Sequence, residues 1–237
     1  MAPISPQMSR LVFTGLSNFL KKALIFRKLW VIMINRHLCL EEYALRIRNE
    51  ETFLKKKQDI MVRCYDCYAE NGLFGVGIKT VAKSCGYTQA NLYTYFEDLD
   101  DMILQSTEYC MTKVEDDFMA RAPMCVEELI PFLKEAPYWT ARTHGPKYRL
   151  MYQVYSQPKY REHGTKFFEG VNKRYGDYAK LLEAKLGIPQ EQLLGFTFTF
   201  IRACVHYAMF EDEFYLQTQL KVLIPAVEEL LRRTQTK

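Results

Sequence analysis

The sequence has little from which to build a catalytic or metal centre. Its four histidines (His37, His144, His163 and His206) are scattered, and no Ser/His/Asp arrangement or apolar pair of carboxylates accompanies them. Cys64-Tyr-Asp-Cys67 is a lone C-x-x-C pair with no second pair at zinc-finger distance. On a helix, i and i+3 put both sulfurs on one face, which suits packing; a thiol switch is the functional alternative. The glycines from Gly72 to Gly77 lack the Lys-Ser/Thr that completes a phosphate loop. No cofactor and no metal is therefore expected. Seven cysteines without dense regular spacing fit a reducing cytoplasm better than a disulfide framework.

Long apolar runs are also missing. The stretch Leu29-Trp30-Val31-Ile32-Met33-Ile34 is far short of the ~20 residues that cross a bilayer. Lys21, Lys22, Arg27, Lys28 and Arg36 surround it, which argues against a secretory leader. Residues 1–50 read as an extension with three alternatives: a basic amphipathic helix on a membrane surface, a helical arm on the body, or an upstream stretch from a misplaced start codon. The last two are favoured, and no membrane partner is expected.

Charge is small overall and uneven. The net value is +4, yet residues 1–60 carry eleven Lys/Arg against five Asp/Glu, and the remainder twenty-one against twenty-three. A basic N-terminal part ahead of a near-neutral body suits a protein that meets a polyanion at one end.

The most informative stretch is 78–96, IKTVAKSCGYTQANLYTYF. Val81 and Ala82 supply small apolar contacts on a first helix, and Gly86 can take the positive φ of a tight helix end. Thr88 is placed to cap a second helix, whose Leu92 and Phe96 give it an apolar face at i, i+4. Gln89, Ala90, Asn91, Tyr93, Thr94 and Tyr95 are left outward, and the polar ones reach base edges and phosphates in a major groove. The pattern is a DNA-reading helix-turn-helix. The competing structural reading is an amphipathic hairpin with a tyrosine-rich surface.

Residues 81–96, V-A-K-S-C-G-Y-T-Q-A-N-L-Y-T-Y-F, resemble the signature of the TetR/AcrR family of transcriptional regulators, and the resemblance extends over about 54–104. It rests on Gly86, the hydroxyl at 88, the Leu92-Tyr93 pair and Phe96. Two positions depart from the pattern. Tyr95 stands where the family usually has His, a mild change because a phenol still donates to phosphate. Leu99 stands where it tends to have a backbone-binding Lys, inside the acidic run Glu97-Asp98-Leu99-Asp100-Asp101. Those acids suit a helix N-terminus but repel phosphate, so the backbone contacts must come from elsewhere. The resemblance implies base contacts from Gln89 and Lys79, operator DNA bound by a homodimer, and repression relieved by a small-molecule effector of unknown identity.

The expected architecture is all-α. After the extension 1–50, a three-helix DNA-binding domain covers 51–98 and a larger effector-binding and dimerisation domain covers 99–237. The first helix runs from about Glu51 to Asn71, with Phe53, Leu54, Ile60, Cys64, Cys67 and Tyr68 on one face and Gly72 as its stop. Lys55, Lys56 and Lys57 at its start are candidate phosphate contacts or a solvated helix end. DNA-contacting candidates are thus Lys55, Lys56, Lys57, Lys79, Thr88, Gln89, Asn91, Tyr93, Thr94 and Tyr95. Beyond Phe96, helices are expected at 99–121, at 126–140 broken by Pro131 and Pro137, after Gly145-Pro146 up to Pro158, and at 164–186, 190–211 and 213–233.

The helix at 190–211 is apolar nearly all round, which calls for cover by a second copy of the chain. Within it Arg202 and His206 lie one turn apart, as an interhelix or interface ion-pair site or as a ligand-facing pair. With Trp139, Tyr148, Met151, Tyr152, Tyr155 and Phe167 they form the candidate effector pocket, although an aromatic stripe also serves as core. The competing function is a helical ligand-binding protein or enzyme whose helix-turn-helix no longer binds DNA; Leu99 and the acidic run are its best support.

Overall fold

The computed structural model describes residues 46–235. The expectations for the extension 1–45 lie outside the described residues. The chain divides into two compact units, Met1–Lys56 and Lys57–Lys237. In the first, residues 46–56 are helical and every side chain is exposed, Phe53 and Leu54 included. The apolar face expected to start at Phe53 therefore begins at Ile60.

The second unit is all helical among its described residues, with no strand. Helix α1, residues 57–71, buries Ile60, Met61, Cys64, Tyr65, Cys67 and Tyr68 and ends at Gly72, whose φ of +81° lets its N–H reach the Tyr68 carbonyl at 2.8 Å. Then follow α2 (Ile78–Cys85), α3 (Gln89–Leu92), α4 (Leu99–Ala120) and α5 (Val126–Tyr155). A 3-10 turn (Pro158–Tyr160) leads to α6 (Arg161–Leu186), α7 (Gln190–Phe210) and α8 (Glu213–Gln235). One apolar cluster runs through α1 to α5 and reaches Val205 and Ala208 of α7. The other joins α4 to α8 around Phe118, Leu182, Phe200, Leu216 and Leu223.

Two short helices were expected between 126 and 158; the chain forms one of 30 residues, with Pro131, Pro137 and Pro146 inside it. Each interior proline removes a ladder hydrogen bond, at a cost of ~3 kcal/mol. Burial offsets that cost. Leu133, Pro137, Thr140, His144, Tyr148, Met151 and Tyr155 make a stripe at intervals of three and four that passes straight through the prolines and packs on α4 and α7. Gly145 is not a breaker but a contact point. A Cβ there would stand 2.8 Å from the Ala208 carbonyl of α7, which also accepts from Arg149 Nη1 at 3.1 Å.

Helix α7 is long and apolar enough to cross a membrane, yet it is packed against α5, α6 and α8. Its expected need for cover is met in part within the chain, which buries a third of the helix's apolar stretch and leaves Phe198 and Phe210 exposed. Phe200 is buried, and Tyr207 stacks edge-on against Tyr138 at 5.2 Å between ring centroids. Helix α8 turns Leu216, Leu220, Leu223, Val227 and Leu231 inward and leaves Val222 72% exposed.

Candidate nucleic-acid interface and ligand cavity

The turn between α2 and α3 closes as its sequence dictates. Gly86 adopts φ +76°, so its N–H meets the Lys83 carbonyl at 3.2 Å and the Tyr87 N–H meets that of Ala82 at 2.9 Å. The Thr88 side chain accepts from the Asn91 N–H at 3.2 Å. Val81, Ala82, Cys85, Leu92 and Phe96 are buried beneath. The second helix is shorter than its i, i+4 pattern suggests: regular α-helix ends at Leu92. The chain then tightens, with Thr94 donating to Asn91 O and Tyr95 to Leu92 O, before Phe96 returns to Leu92 O at 3.2 Å.

Thr88, Ala90, Asn91, Tyr93 and Thr94 are exposed on this element, Gln89 is half-buried, and Lys79 is exposed at the start of α2. Tyr95 is half-buried, its ring edge-on to Tyr87 at 6.3 Å. Lys57 does not simply extend into solvent: its ammonium lies 5.1 Å from the centroid of the Phe96 ring. That contact fixes one cation at the end of the α3 turn. Lys55 and Lys56 belong to the first unit and are exposed.

The acidic run is occupied internally. Asp98 caps α4, accepting from the Asp101 N–H at 2.8 Å, while Asp101 accepts from the Glu97 N–H at 3.0 Å and from Gln105 Nε2 at 2.6 Å. Asp100 binds Lys159 Nζ through both oxygens, at 2.8 and 2.9 Å, and the Tyr160 hydroxyl at 2.6 Å. The Lys159 hydrogen bond, then that of Tyr160, holds the Asp100 carboxyl below its usual range. Asp100 is thereby a strap from the base of the helix-turn-helix to the α5–α6 corner, and Lys159 offsets its charge. Other ties run alongside: Tyr65 donates to the Lys147 carbonyl at 2.7 Å, and the Leu73 N–H to Gln153 Oε1 at 3.4 Å.

A cavity of about 240 Å3 opens among α4, α5, α6 and α7. Four of the eight candidate pocket residues line it: Tyr148, Met151, Tyr152 and Arg202. Tyr155 and Phe167 stack on each other beside it, at 5.7 Å. Trp139 is elsewhere, packed on Phe118 with the Arg121 guanidinium 4.3 Å above its ring. His206 faces the α7–α8 corner, 3.6 Å from Asp212 and stacked on Tyr215. Arg202 and His206 are thus not a pair; Arg202 instead donates to the Tyr152 hydroxyl at 2.9 Å.

The sequence reading missed Glu115, Phe168, Asn172, Tyr175 and Phe198. Glu115 had a legible signal, since it interrupts the apolar stripe Met111, Val114, Phe118 on α4. It is 6% exposed, accepting from the Tyr175 hydroxyl at 2.6 Å and the Tyr148 hydroxyl at 3.4 Å. Burial raises its carboxyl above the ordinary value, against the pull of Tyr175 and Arg174. A second, narrower void of about 70 Å3 lies among Phe118, Leu133, Tyr178, Leu193, Phe200 and Val227, with almost wholly apolar walls.

Cys64, Cys67, Cys85 and Cys110 are all buried free thiols, and those of Cys85 and Cys110 donate to the Ile60 and Met61 carbonyls. Desolvation pushes the Cys64 and Cys110 thiols up to about 12 and that of Cys85 to about 11. Thiolate chemistry is suppressed at those three, and all four cysteines pack in the apolar cluster beneath the helix-turn-helix. Among the described residues no cluster of His, Cys, Asp or Glu could hold a metal ion.

No protein-family model and no curated protein sequence matches this chain. Solved structures do. A TetR-family transcriptional regulator from Mesorhizobium loti superposes with a TM-score of 0.54 at 14% identity, over 73% of this chain and 97% of its own. A transcriptional regulator from Pseudomonas aeruginosa gives 0.53 at 9% identity, over 74% and 90%. The fatty acid degradation regulator FadR from Bacillus halodurans gives 0.51 at 17%, over 74% and 94%. The chain has the all-α fold of TetR-family transcriptional regulators.

Proposed function

We propose that this chain is a sequence-specific DNA-binding transcriptional regulator, a repressor released from its operator by a small-molecule effector, acting in the cytoplasm as a homodimer and without catalysis. The observation that carries the reading is the capped helix-turn-helix with exposed Asn91, Tyr93, Thr94 and Lys79 and half-buried Gln89, strapped to the corner beside the cavity. The divided labour is DNA reading by 51–98 and effector binding and dimerisation by 99–237. Gln89 and Lys79 read bases; Thr88, Asn91, Tyr93, Thr94 and Tyr95 hold phosphates, with Lys55, Lys56 and Lys57 supplying the cations that α3 lacks.

Two recognition elements must sit about one DNA turn, ~34 Å, apart or near a multiple of it. A ligand that favours another separation shifts the population away from the bound state. The Asp100–Lys159–Tyr160 strap is the mechanical link, because the 3-10 turn that holds it lies between Tyr152 of α5 and Phe168 of α6, which both line the cavity. The open α7–α8 groove around Phe196, Val222 and Leu230 is the dimer face, whereas Leu223 points mostly into the core. The competing reading, a module that has lost DNA binding, draws its support from the acidic run; the pairing of Asp100 with Lys159 offsets one of its four charges.

A mobility shift with DNA flanking the chain's own gene tests the reading: saturable binding that competitor DNA does not displace is expected, and binding no tighter than to random DNA overturns it. Met151→Trp, which fills the cavity, should change operator affinity if the cavity controls the reading heads. An unchanged affinity in a folded variant removes the effector role and leaves DNA binding standing. Val222→Glu should give folded monomers by sedimentation; a wild-type monomer at micromolar concentration removes the two-headed mechanism.

A further inference from the structure

The cavity is mostly apolar, with one buried charge in its wall. Glu115 of α4 is the acid on its wall, buried, and held by hydroxyls rather than by a cation. Arg174, whose charge acts on Glu115 without a direct contact, is paired with Asp116 at 2.7 Å. The other charged group on the wall, Arg202 of α7, is solvent-exposed and bound to the Tyr152 hydroxyl. Asn172 of α6 completes the polar lining. A desolvated carboxylate with only hydroxyl partners is costly unless something cationic joins it.

Around that carboxylate stand aromatic faces: Tyr148, Tyr152, Phe168, Tyr175 and Phe198. Such rings attract an organic cation through their quadrupoles, most strongly when water is excluded. The cavity's volume of about 240 Å3 has room for a single aromatic ring with a short side chain.

Resting on the effector-cavity reading above, we infer that the cavity binds a small aromatic amine, its ammonium paired with Glu115 and its ring packed among Tyr148, Tyr175 and Phe198. Arg202 stands at the open side, where it selects against a second positive charge on the ligand. Binding supplies Glu115 with a cation in direct contact, so the ligand favours the conformation in which the three-way contact of Glu115, Tyr175 and the ammonium is closed. That contact ties α4, which carries the DNA module at its N-terminus, to α6, which begins at the Asp100 strap.

Calorimetry on the full chain with phenethylamine, 2-phenylethanol and phenylacetate, three probes of similar size, tests this. Phenethylamine should bind more tightly than either of the others, and Glu115→Gln should weaken it about tenfold or more while leaving the alcohol within about twofold. Equal affinity for amine and alcohol, or no binding of the amine, overturns the assignment. Preference for phenylacetate overturns it too, by making Arg202 the anchor, but leaves the effector cavity in place. The cavity itself fails only if Met151→Trp leaves operator affinity unchanged, so the two failures are separable. Should Glu115→Gln not fold, as judged by circular dichroism, the wild-type discrimination between amine and alcohol decides alone.

Discussion

The two ends of the second unit are built by opposite means. From Ile78 to Phe96 the turn itself is local: a glycine at positive φ and a threonine cap three residues from its donor, set over apolar side chains that join the cluster with α1. From Leu99 onward the helices run to 22, 30, 26, 21 and 23 residues, and their stability lies in faces buried against partners distant in sequence. A region whose rules are local keeps its shape while its surface varies, which suits a reading head. A region held by long packed helices can move as rods about close contacts, which suits a sensor.

Two glycines put that contrast to its severest test. Gly145→Leu inserts a side chain where a Cβ already stands 2.8 Å from the Ala208 carbonyl, so α5 and α7 must part. Overpacking of that kind costs on the order of 1–3 kcal/mol or more, and thermal unfolding should show a large loss of stability for the whole chain. Gly86→Ala meets no atom within 4 Å; its cost is the left-handed backbone alone, about 1–2 kcal/mol. Urea titrations of the two variants should rank them in that order. The reverse ranking means the α5–α7 contact is soft, and the rod picture fails.

The same contrast explains what was legible in the sequence. Gly86, Thr88, Leu92 and Phe96 act within a few residues of themselves, so their spacing sufficed to place the turn, the cap and the buried face. Apart from the early end of α3, the failures are tertiary. Pro131, Pro137 and Pro146 read locally as breakers, yet a stripe from Leu133 to Tyr155 outweighs them once α4 and α7 are present. Trp139 and His206 share a composition with the pocket but face other neighbours, because an aromatic stripe does not say which side of a helix meets a void. Glu115 was hidden for the converse reason. A single acid in an apolar stripe announces burial, but its tyrosine partners lie 33 and 60 residues away.

The reading head has its own measure. Gln89→Ala should reduce operator affinity by ~1–3 kcal/mol while leaving random DNA nearly unaffected, since a base-edge contact carries sequence and a phosphate contact does not. Competition titrations with both DNAs decide it; an equal loss on each reassigns Gln89 to the backbone. A smaller effect belongs to the sensor end. Burial raises the Glu115 carboxyl, so the folded chain holds that proton more tightly than the unfolded one, whose value is near 4.5. Stability from this residue is therefore greatest below 4.5 and falls as pH rises from there toward the folded value. Glu115→Gln, which never ionises, should raise the melting temperature at pH 7 and not at pH 4. A gain of equal size at both sinks the argument.

The smallest effect is in salt. Residues 88–96 contain no lysine or arginine, and Leu99 replaces a cation that the family resemblance leads one to expect. Hydroxyl donors such as Tyr93 and Thr94 hold phosphate without displacing counterions, so the slope of log affinity against log salt should be shallow. Each lysine that neutralises a phosphate contributes about −0.9 to it. Lys57 is held against the Phe96 ring, at the end of the α3 turn, and is the one whose removal should matter most; Lys55 and Lys56 are exposed and follow. Replacing Lys57 alone by Gln should flatten the slope by no more than about one unit, and replacing all three should flatten it further. A slope untouched by the triple change assigns all three to helix solvation. In that case the phosphate contacts proposed for residues 88–96 come from hydroxyls and amides alone.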